Sequence, residues 1–389
     1  MKKKIGILGS TGSIGENTVK LIQSNKKDFN VIFLSTNTNV KKLLKQSLIL
    51  KPKSVIIFDK KSYLKNKKKF FKKKITVFNS FKQLKKKLLK NKIDYIMCAI
   101  TGLAGLDSTL NCINTTKSIA IANKESIICG WNLIKSKLIK NNTKFIPIDS
   151  EHFSIWSLLQ NEPIKSVEKI IITASGGPFL NYRMRRLNNV KPHEAIKHPN
   201  WRMGKKISID SATLMNKVFE IIEAQRIFNI DIKKFEILIH PKSYVHSIIK
   251  FFNGQIKILA HETDMKIPIF NSLYQKKMKR IVTKKINVNL LNNLNFSKPN
   301  VGKYKSLKIL KKINNNNTLF ETLLISANDE LVEQFIKNRI RYLDINKILN
   351  KVLNNKKYIN LIKKKPKKIS EIVNLSKEVR LKTRQLCIE

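Results

Sequence analysis

The stretch KIGILGSTGSIGENTVKLI, residues 4–22, decides the fold of this chain. A short apolar run leads directly into Gly9, Gly12 and Gly15, and a helical pattern follows. Glycines at this spacing let the chain turn tightly after a strand, and they let the backbone approach a phosphate at the N-terminus of the next helix. The spacing GxxGxxG is related to the dinucleotide-binding fingerprint, and the alternative is a merely structural tight turn. Its place at the start of a strand–helix series favours nucleotide binding.

The first 149 residues alternate between short apolar runs and longer helical patterns. Runs rich in β-branched residues predict strands at 4–9, 31–35, 54–58, 94–100, 118–122 and 144–148. Apolar residues at helical spacing predict helices at 18–24, 40–50 and 81–90. Strands that alternate with helices form βαβ units around a parallel sheet. We therefore predict an α/β fold in which residues 1–149 form a Rossmann-like domain with a parallel sheet.

The remaining chain has a different composition. All six histidines and two of the three tryptophans lie within residues 150–275, together with strand patterns at 168–174, 235–240 and 244–251. We predict an α+β catalytic domain there. Residues 276–305 are rich in Lys and Asn without periodicity and are interpreted as a linker, whereas residues 306–389 have helical patterns and predict a C-terminal helical domain.

The net charge of +52 raises the question of a nucleic-acid partner. Of the 78 basic residues only 10 are Arg, although base and phosphate recognition favours the planar fork of Arg. Lys, Asn and Ile, whose codons are A/T-rich, are enriched together. We interpret the charge as compositional drift on solvated surfaces and predict no nucleic-acid partner. Steering of anionic substrates is the alternative.

Composition and patterning also bear on the compartment. An apolar fraction of 42% excludes a wholly disordered chain. No apolar run reaches the roughly 18 residues that span a bilayer, so no membrane association is expected. The N-terminal pattern is not that of a signal peptide, and the four cysteines show no CxxC pairing. We expect reduced thiols and a cytoplasmic protein.

The residues after the second predicted strand help to choose the nucleotide. An NAD site usually has an Asp or Glu there, which accepts from the ribose hydroxyls. Residues 35–39 read STNTN, so no carboxylate would repel a 2′-phosphate, and Asn37, Thr38 and Asn39 are neutral donors that could bind one. The pattern favours NADPH, although the nearest basic residue is Lys41.

Two clusters of charged residues follow predicted strands. Lys124 and Glu125, preceded by Asn123, come directly after the strand at 118–122, at an edge where parallel sheets bind ligands. Asp149 and Glu151 follow the strand at 144–148, and two carboxylates on an extended segment can turn toward one Mg²⁺ or Mn²⁺. The alternative in both places is a capped helix start with an acidic first turn.

A third cluster lies on a predicted helix. Asn216 and Glu220 share one helical face, and Lys217 flanks it, which suits a metal bound beside a phosphate. Upstream, Ser175 begins a Gly-Gly-Pro turn with exposed backbone. The stretch HPNWRMG, residues 198–204, has the composition of a loop that closes over a ligand, although a lone His there is equally typical of a structural role.

Taken in order, these motifs resemble the 1-deoxy-D-xylulose 5-phosphate reductoisomerase family. The resemblance covers essentially the whole chain and rests on GSTGSIG (9–15), ANKES (122–126), DSEH (149–152), SGGPF (175–179), HPNWRMG (198–204), DSATLMNK (210–217), IHPKSYVHS (239–247) and DMKIP (264–268). It implies a homodimeric enzyme that binds NADPH and a divalent metal. It also implies conversion of a small sugar phosphate, 1-deoxy-D-xylulose 5-phosphate, to 2-C-methyl-D-erythritol 4-phosphate in non-mevalonate isoprenoid synthesis.

The resemblance also implies roles for individual residues. The implied metal ligands are Asp149, Glu151 and Glu220. The implied nucleotide contacts, with the strand-end residues, are Thr11, Gly12, Ser13, Ile14, Asn37, Thr38, Asn39, Asn123, Glu125 and Gly204. The implied substrate contacts are Lys124, Ser150, Glu151, Ser175, His198, Ser211, Asn216, Lys217 and Glu220. Lys124, Glu151, His198 and Trp201 are the implied catalytic residues, and Trp201 with Met203 matches a mobile lid.

The chain departs from the family pattern in two places. Family members often have a Gly and a basic residue where this chain has Asn37 and Thr38, and often a Gly where it has Val218. We expect a weaker hold on the 2′-phosphate from the first change and altered packing from the second. The rival hypotheses are a metal-independent dehydrogenase and a Lys-rich nucleic-acid binder.

Overall fold

The computed structural model describes residues 1–89, 91–201, 203–275 and 279–388. Its contacts divide the chain into two compact units. The first consists of Met1–Ile127, Asn132–Asp149 and Met265–Ile281. The second consists of Ile128–Trp131, Ser150–Asp264 and Val282–Glu389. Each unit has its own sheet and is described separately.

A seven-stranded parallel sheet forms the centre of the first unit. Its strands are β1 (Lys3–Leu8), β2 (Phe29–Thr36), β3 (Ser54–Ile57), β4 (Thr76–Phe78), β5 (Ile93–Cys98), β6 (Thr116–Ile121) and β7 (Lys144–Pro147). The strand order is β4-β3-β2-β1-β5-β6-β7, and neighbouring strands are parallel. The chain order reverses between β1 and β5, and ligands of such sheets bind at the carboxyl ends of the strands at this switch point.

The helices of the first half alternate with these strands. They are α1 (Ser13–Ser24), α2 (Val40–Leu50), α3 (Lys60–Phe71), α4 (Phe81–Leu89), α5 (Gly105–Cys112) and α6 (Lys124–Lys140). The apolar side chains of β1 and β5, including Ile5, Ile7 and Met97, are buried in the core of this unit. Continuous apolar strands are expected when helices cover both faces of a parallel sheet.

The second unit contains a mixed four-stranded sheet. Its strands are β8 (Val167–Ala174), β9 (Phe235–Ile239), β10 (Val245–Phe251) and β11 (Ile256–Ala260). The order is β11-β10-β8-β9, with β8 and β9 parallel and the other pairs antiparallel. Helix α7 (Ser150–Leu158) precedes β8 in the chain. Four helices lie between β8 and β9, namely α8 (Met184–Leu187), α9 (Pro192–Ala195), α10 (Lys205–Ala212) and α11 (Met215–Phe228). Ile155 of α7 and Ile221 of α11 pack on Ile170 and Ile249 of the sheet.

After β11 the chain returns to the first unit through α12 (Lys266–Tyr274). Ile269 and Leu273 are buried in the core of that unit, and the Tyr274 hydroxyl donates to the Asp28 carboxylate at 2.7 Å. The sequence pattern had placed α12 in the predicted catalytic domain, residues 150–275. Compact units defined by contacts are not the same as functional domains, so the predicted domain boundaries remain a prediction.

The C-terminal part of the second unit is helical, as predicted. Its helices in the predicted region are α14 (Leu319–Ile336), α15 (Tyr342–Leu353) and α16 (Ile369–Gln385), whereas the short helix α13 (Val288–Asn292) lies in the stretch that was interpreted as a linker. Thr318 and Glu321 form a capping box that begins α14, and Arg384 of α16 donates to Glu330 of α14 at 2.7 Å. Residues 305–312 form a 3₁₀ helix instead of the predicted α-helix.

The predicted fold class is confirmed, and the quoted strand patterns all lie within or next to observed strands. The sequence patterns did not identify α3, whose sequence KKSYLKNKKKFF buries only Phe70, or the edge strands β4 and β11. At Asp149 and Glu151 the structure shows the helix start that the sequence left open as the alternative to an extended segment, because Glu151 lies in the first turn of α7. Among the described residues, no helix combines the length and the apolar character that crossing a membrane requires.

Candidate active site

The glycine loop follows β1 at the switch point of the first sheet. Gly9 has φ +79°, and a Cβ atom there would lie 2.6 Å from the carbonyl oxygen of Ala99, the residue after β5. Gly15 lies in α1, and a Cβ atom there would overlap the backbone of Gly9 and Ser10. Both positions require glycine, because the helix can approach the strand end only where no side chain intervenes.

Helix α1 begins without a side-chain cap. Its N-cap residue, Gly12, offers no acceptor to the amides of the first turn, where Ser13 is exposed and Ile14 is half-buried. The hydroxyl of Thr11 is hydrogen-bonded to that of Thr36 at 2.7 Å, which fixes the loop to the end of β2. Uncapped amides at a helix N-terminus are the groups that bind a pyrophosphate.

The residues expected at the 2′-phosphate lie at the carboxyl end of β2. Asn37, Thr38 and Asn39 are all exposed. The Asn39 side chain accepts from the backbone amide of Lys42 at 3.2 Å, so this residue caps α2. Lys42 forms an ion pair with Glu16 of α1, whereas Lys41 is exposed.

The carboxyl ends of β6 and β7 bring together a second group in the first unit. Lys124, at the start of α6, lies 3.0 Å from a carboxylate oxygen of Asp149, and its exposed fraction is 9%. Asn123 caps α6 by accepting from the Ser126 amide at 2.6 Å, and its amide nitrogen donates to the Gly102 carbonyl at 2.6 Å. The Asn123 side chain is therefore used structurally, and Glu125 is a half-buried residue of the first helical turn.

A buried carboxylate–lysine cluster forms in the second unit between α7 and α11. The ammonium of Lys217 donates to the carboxylates of Glu151 and Glu220, at 2.6 Å for Glu220. Ser150 donates to Glu151 at 2.6 Å, and Asn216 donates to Glu220. The predicted helical face of Asn216 and Glu220 is confirmed. The structure adds Glu151, which is 66 positions from Lys217 in the chain.

The electrostatics of this cluster favour full ionisation of the lysine. Burial by itself would lower the pKa of Lys217, but the charges and hydrogen bonds of Glu151 and Glu220 outweigh it and raise the pKa. Two carboxylates that are buried together require a compensating positive charge, and the ammonium of Lys217 supplies it. Val218, the departure from the family pattern, is fully buried in α11 next to them.

Ser175 and His198 form a hydroxyl–imidazole pair in the same unit. Nδ1 of His198 accepts from the backbone amides of Asn200 and Trp201, at 3.2 and 3.0 Å. The neutral ring therefore carries its proton on Nε2, which lies 2.9 Å from the Ser175 hydroxyl oxygen and donates to it. Burial, followed by the charge of Lys217, lowers the pKa of His198 to about 4, so this tautomer is present at neutral pH.

Ser175 also accepts from the backbone amide of Gly177 at 3.1 Å. Because the Ser175 oxygen already accepts from two donors, its own hydroxyl hydrogen points away from them and can donate to a bound anion. Gly177 has φ +70°, and a Cβ atom there would lie 2.7 Å from the carbonyl oxygen of Ser211. The turn that bears Ser175 therefore touches the backbone of the predicted substrate residue Ser211, which is 9% exposed.

The predicted lid residues lie on the loop that His198 caps. The ring of Trp201 is half-buried and meets the ring of His246 edge-on, with centroids 6.0 Å apart. Asn200 donates to Ser243 at 2.8 Å and so attaches the loop to the segment before β10. Gly204 is exposed and begins α10.

Two residues that support this site were not predicted from the sequence. Lys303 and Tyr304 hydrogen-bond to the backbone of the turn that follows Ser175. They lie in the stretch interpreted as a linker, where one lysine among many carries no distinguishing pattern. The tyrosine in a Lys/Asn-rich segment was the available indication.

The parallel sheet with its glycine loop is typical of dinucleotide-binding domains, and the second unit adds a carboxylate–lysine cluster. Together they indicate a nucleotide-dependent oxidoreductase. Family models described as 1-deoxy-D-xylulose 5-phosphate reductoisomerase match residues 5–130, and models of its C-terminal domains match residues 145–228 and 261–382. The chain belongs to the 1-deoxy-D-xylulose 5-phosphate reductoisomerase family.

Relatives and solved structures agree with this assignment. The reductoisomerase of Pelagibacter ubique is 51% identical over 387 residues, which cover 99% of this chain and 100% of the relative. That of Clostridium novyi is 36% identical and covers 97% of each chain. The Zymomonas mobilis enzyme in complex with NADPH has a TM-score of 0.89 at 31% identity, covering 100% of this chain and 99% of its own. A reductoisomerase complex with NADPH, fosmidomycin and magnesium has a TM-score of 0.90 at 29% identity, covering 99% and 98%.

Proposed function

We propose that this chain converts 1-deoxy-D-xylulose 5-phosphate to 2-C-methyl-D-erythritol 4-phosphate with NADPH and a divalent metal. The observation that carries the proposal is the buried cluster of Glu151, Lys217 and Glu220 beside a neutral His198 that orients Ser175. A metal-binding carboxylate pair and a phosphate-binding hydroxyl in one unit suit a substrate with both a ketone and a phosphate. The reaction is a step of non-mevalonate isoprenoid synthesis.

The carboxylates fit a hard divalent cation. Glu151 and Glu220 both accept hydrogen bonds from the ammonium of Lys217, so their carboxylate oxygens face one positive group. Oxygen-only donors of this kind suit Mg²⁺ or Mn²⁺. We assign Glu151 and Glu220 as ligands, with Asp149, which precedes Glu151 by two residues. The metal, when bound, polarises the substrate ketone as a Lewis acid.

The phosphate end of the substrate is held by neutral and cationic donors. Ser175 donates its hydroxyl hydrogen, and the imidazole of His198 keeps that hydroxyl in place. The remaining contacts are Ser211, Asn216 and Lys217. Binding energy from a non-reacting phosphate helps to position the reacting carbons.

The reacting end is assigned to Ser150, Glu151 and Lys124. Lys124 is buried beside Asp149 at the sheet edge where α6 begins, and an ammonium there stabilises negative charge that develops on a substrate oxygen. Trp201 and Met203 cover the substrate and exclude water while the aldehyde intermediate exists.

Most of the nucleotide contacts are assigned to residues of the first unit. Thr11, Gly12, Ser13 and Ile14 hold the pyrophosphate, and residues 37–39 face the 2′-phosphate. Backbone near Asn123, with Glu125 and Gly204, completes the contacts. NADPH supplies the hydride that reduces the rearranged aldehyde.

The decisive experiment measures NADPH oxidation with 1-deoxy-D-xylulose 5-phosphate, with and without Mg²⁺ or Mn²⁺. We expect turnover only with the metal, and complete loss after chelation. Turnover that survives chelation would support a metal-independent dehydrogenase. Tight binding of duplex DNA without any turnover would support the nucleic-acid alternative.

We also propose a cytoplasmic homodimer. The outer face of the second sheet has an apolar row in which Ile171, Ile248 and Ile258 are aligned across β8, β10 and β11. Ile258 is 51% exposed and Ile256 is 60% exposed. Ile248 is buried and Ile171 is half-buried, so the exposed apolar part of this face is Ile256 and Ile258 on the edge strand β11. Exposed apolar side chains grouped on a sheet face typically mark an interface.

Light scattering on size-exclusion chromatography tests the dimer. Wild type is expected at twice the mass of the chain, and Ile258→Lys is expected to shift it toward the monomer. Lys257→Ala, on the opposite face of the same strand, is the control. A monomeric wild type would refute this part of the proposal.

A further inference from the structure

The segment Lys303–Ser306 lies behind the turn that carries Ser175. The ammonium of Lys303 donates to the carbonyl oxygens of Phe179, Leu180 and Tyr182, at 2.6, 2.7 and 2.8 Å. An ammonium has three N–H donors, so this arrangement uses all of them on consecutive parts of one turn. Lys303 therefore fixes the course of the backbone directly after the SGGP sequence.

Tyr304 fixes the beginning of the same turn. Its side chain is 3% exposed, and its hydroxyl donates to the carbonyl oxygen of Gly176 at 2.9 Å. Gly176 and Gly177 have φ values of +83° and +70°, which glycine adopts without steric cost, and because glycine has many other conformations open to it, contacts from outside the turn help to select this one. The amide of Gly177 in turn orients the Ser175 hydroxyl.

Ser306 extends the contact to a second turn of the site. Its hydroxyl donates to the carbonyl oxygen of Thr213 at the junction of α10 and α11. The next residue, Leu214, has φ +57° and is buried, and α11 then presents Asn216 and Lys217. Three residues within four positions, Lys303, Tyr304 and Ser306, thus contact the two turns that bear the proposed phosphate donors.

We propose that Lys303–Ser306 is a positioning segment that pre-orders the phosphate pocket. The proposal rests on the proposed function, because the anion it serves is the substrate phosphate. None of the three side chains needs to touch the substrate. By holding the two turns together, they place the Ser175 hydroxyl, the Ser211 segment and the start of α11 before the anion binds, which reduces the ordering cost of binding.

The principal test compares Lys303→Met with wild type and with Lys305→Met, an exposed lysine two positions away. For Lys303→Met we expect the KM for the sugar phosphate to rise about tenfold and the KM for NADPH to stay within about twofold. The inhibition constant of inorganic phosphate should rise in parallel. Lys305→Met should leave these constants unchanged.

Tyr304→Phe keeps the aromatic ring and removes only the bond to Gly176. It should fold even if Lys303→Met does not, and should raise the same two phosphate-dependent constants about threefold. Either variant with unaltered phosphate constants but a lowered Tm would overturn the proposal, because the segment would then be merely structural.

Thermal stabilisation by inorganic phosphate separates this inference from the proposed function. If wild type is stabilised by phosphate but does not turn over the sugar phosphate, the assigned reaction fails and the pocket remains. In that case a smaller stabilisation by phosphate in Lys303→Met than in wild type would support the positioning role, and an equal stabilisation would refute it.

Discussion

Single residues in the second unit show how burial decides protonation. Lys217 keeps its charge because two carboxylates accept its hydrogen bonds, whereas His198 loses its charge because burial and the nearby ammonium disfavour a second cation. The pKa of Lys217 is raised and the pKa of His198 is lowered, and in both cases burial and the charges of the neighbouring groups decide the direction. Each group adopts the state that its buried neighbours can pair.

Glu220→Gln should abolish turnover while leaving NADPH binding intact. The amide cannot supply the negative charge that a divalent ligand set needs, and the nucleotide loop belongs to the other compact unit. We expect kcat/KM to fall on the order of a thousandfold or more, and the Kd for NADPH to change less than about twofold. Steady-state kinetics and fluorescence titration measure both.

Glu236→Gln is the matched control for this prediction, since Glu236 is a half-exposed carboxylate paired with Lys169 on the sheet. It should behave as wild type. A near-normal rate for Glu220→Gln at saturating Mg²⁺ would remove Glu220 from the ligand set.

His198 should contribute to loss of stability in acid. Its pKa is near 6.5 in the unfolded chain and about 4 in the folded protein. Between these values the unfolded chain binds the proton first, so stability is complete above pH 6.5 and is lost as the pH falls toward 4. The ring is only partly buried, and the effect is therefore about 1 kcal/mol.

His198→Gln should reduce the fall in Tm between pH 6.5 and 4, measured on the ligand-free protein. His193→Gln changes an exposed histidine nearby and should leave the slope unaltered. Equal slopes for wild type and His198→Gln would show that His198 is protonated in the folded state in this range.

At the scale of elements, each functional group lies where a strand ends or a helix begins. The loop from β1 to α1 leaves the first-turn amides uncapped, and Lys124 begins α6 directly after β6. In the second unit, α7 supplies Glu151 from its first turn and α11 supplies Glu220 from its second turn. Helix starts concentrate unpaired amides and tolerate charged side chains, which explains why ligands bind there.

The glycine loop offers a test of which glycines serve the fold and which the ligand. Gly15→Ala should destabilise the protein by about 1–3 kcal/mol, because its Cβ overlaps the backbone of Gly9 and Ser10. Gly12 has an ordinary φ of −84°, and a Cβ there finds its nearest atom at 3.6 Å. Gly12→Ala should therefore fold normally and raise the Kd for NADPH about tenfold, by obstructing the pyrophosphate.

Calorimetry and NADPH titration on both variants test whether Gly15 serves the fold and Gly12 serves NADPH binding. Normal NADPH affinity in Gly12→Ala would show that the pyrophosphate does not approach the N-terminus of α1.

At the scale of the whole molecule, the chain carries a net charge of +52, and both proposed ligands, NADPH and the sugar phosphate, are anions. A positive field raises the encounter rate of anionic ligands, and salt screens it. The association rate of NADPH should therefore fall with ionic strength, and more steeply than that of NADH, which lacks the 2′-phosphate. Stopped-flow measurements at several salt concentrations decide the point. Rates independent of salt would mean that the lysines have no steering role.

Much of the fold could be predicted from the sequence, because the relevant forces are local. Apolar runs of β-branched residues separated by helical periodicity determine a parallel sheet, and the glycine spacing after β1 locates its ligand edge. The spacing of Asn216 and Glu220 determines a shared helical face, which the structure confirms. Where lysine-rich composition hides the periodicity, as in α3, the local pattern was too weak to identify the element.

The tertiary structure alone decided which distant groups meet. Glu151 meets Lys217 across 66 positions, Ser175 meets His198 across 23, and Lys303 meets Phe179 across 124. It also decided the tautomer and the neutral state of His198, which depend on two backbone amides and on burial. Periodicity records only which face of an element is apolar. Contacts between elements depend on how their faces pack, and no local pattern in the sequence specifies that packing.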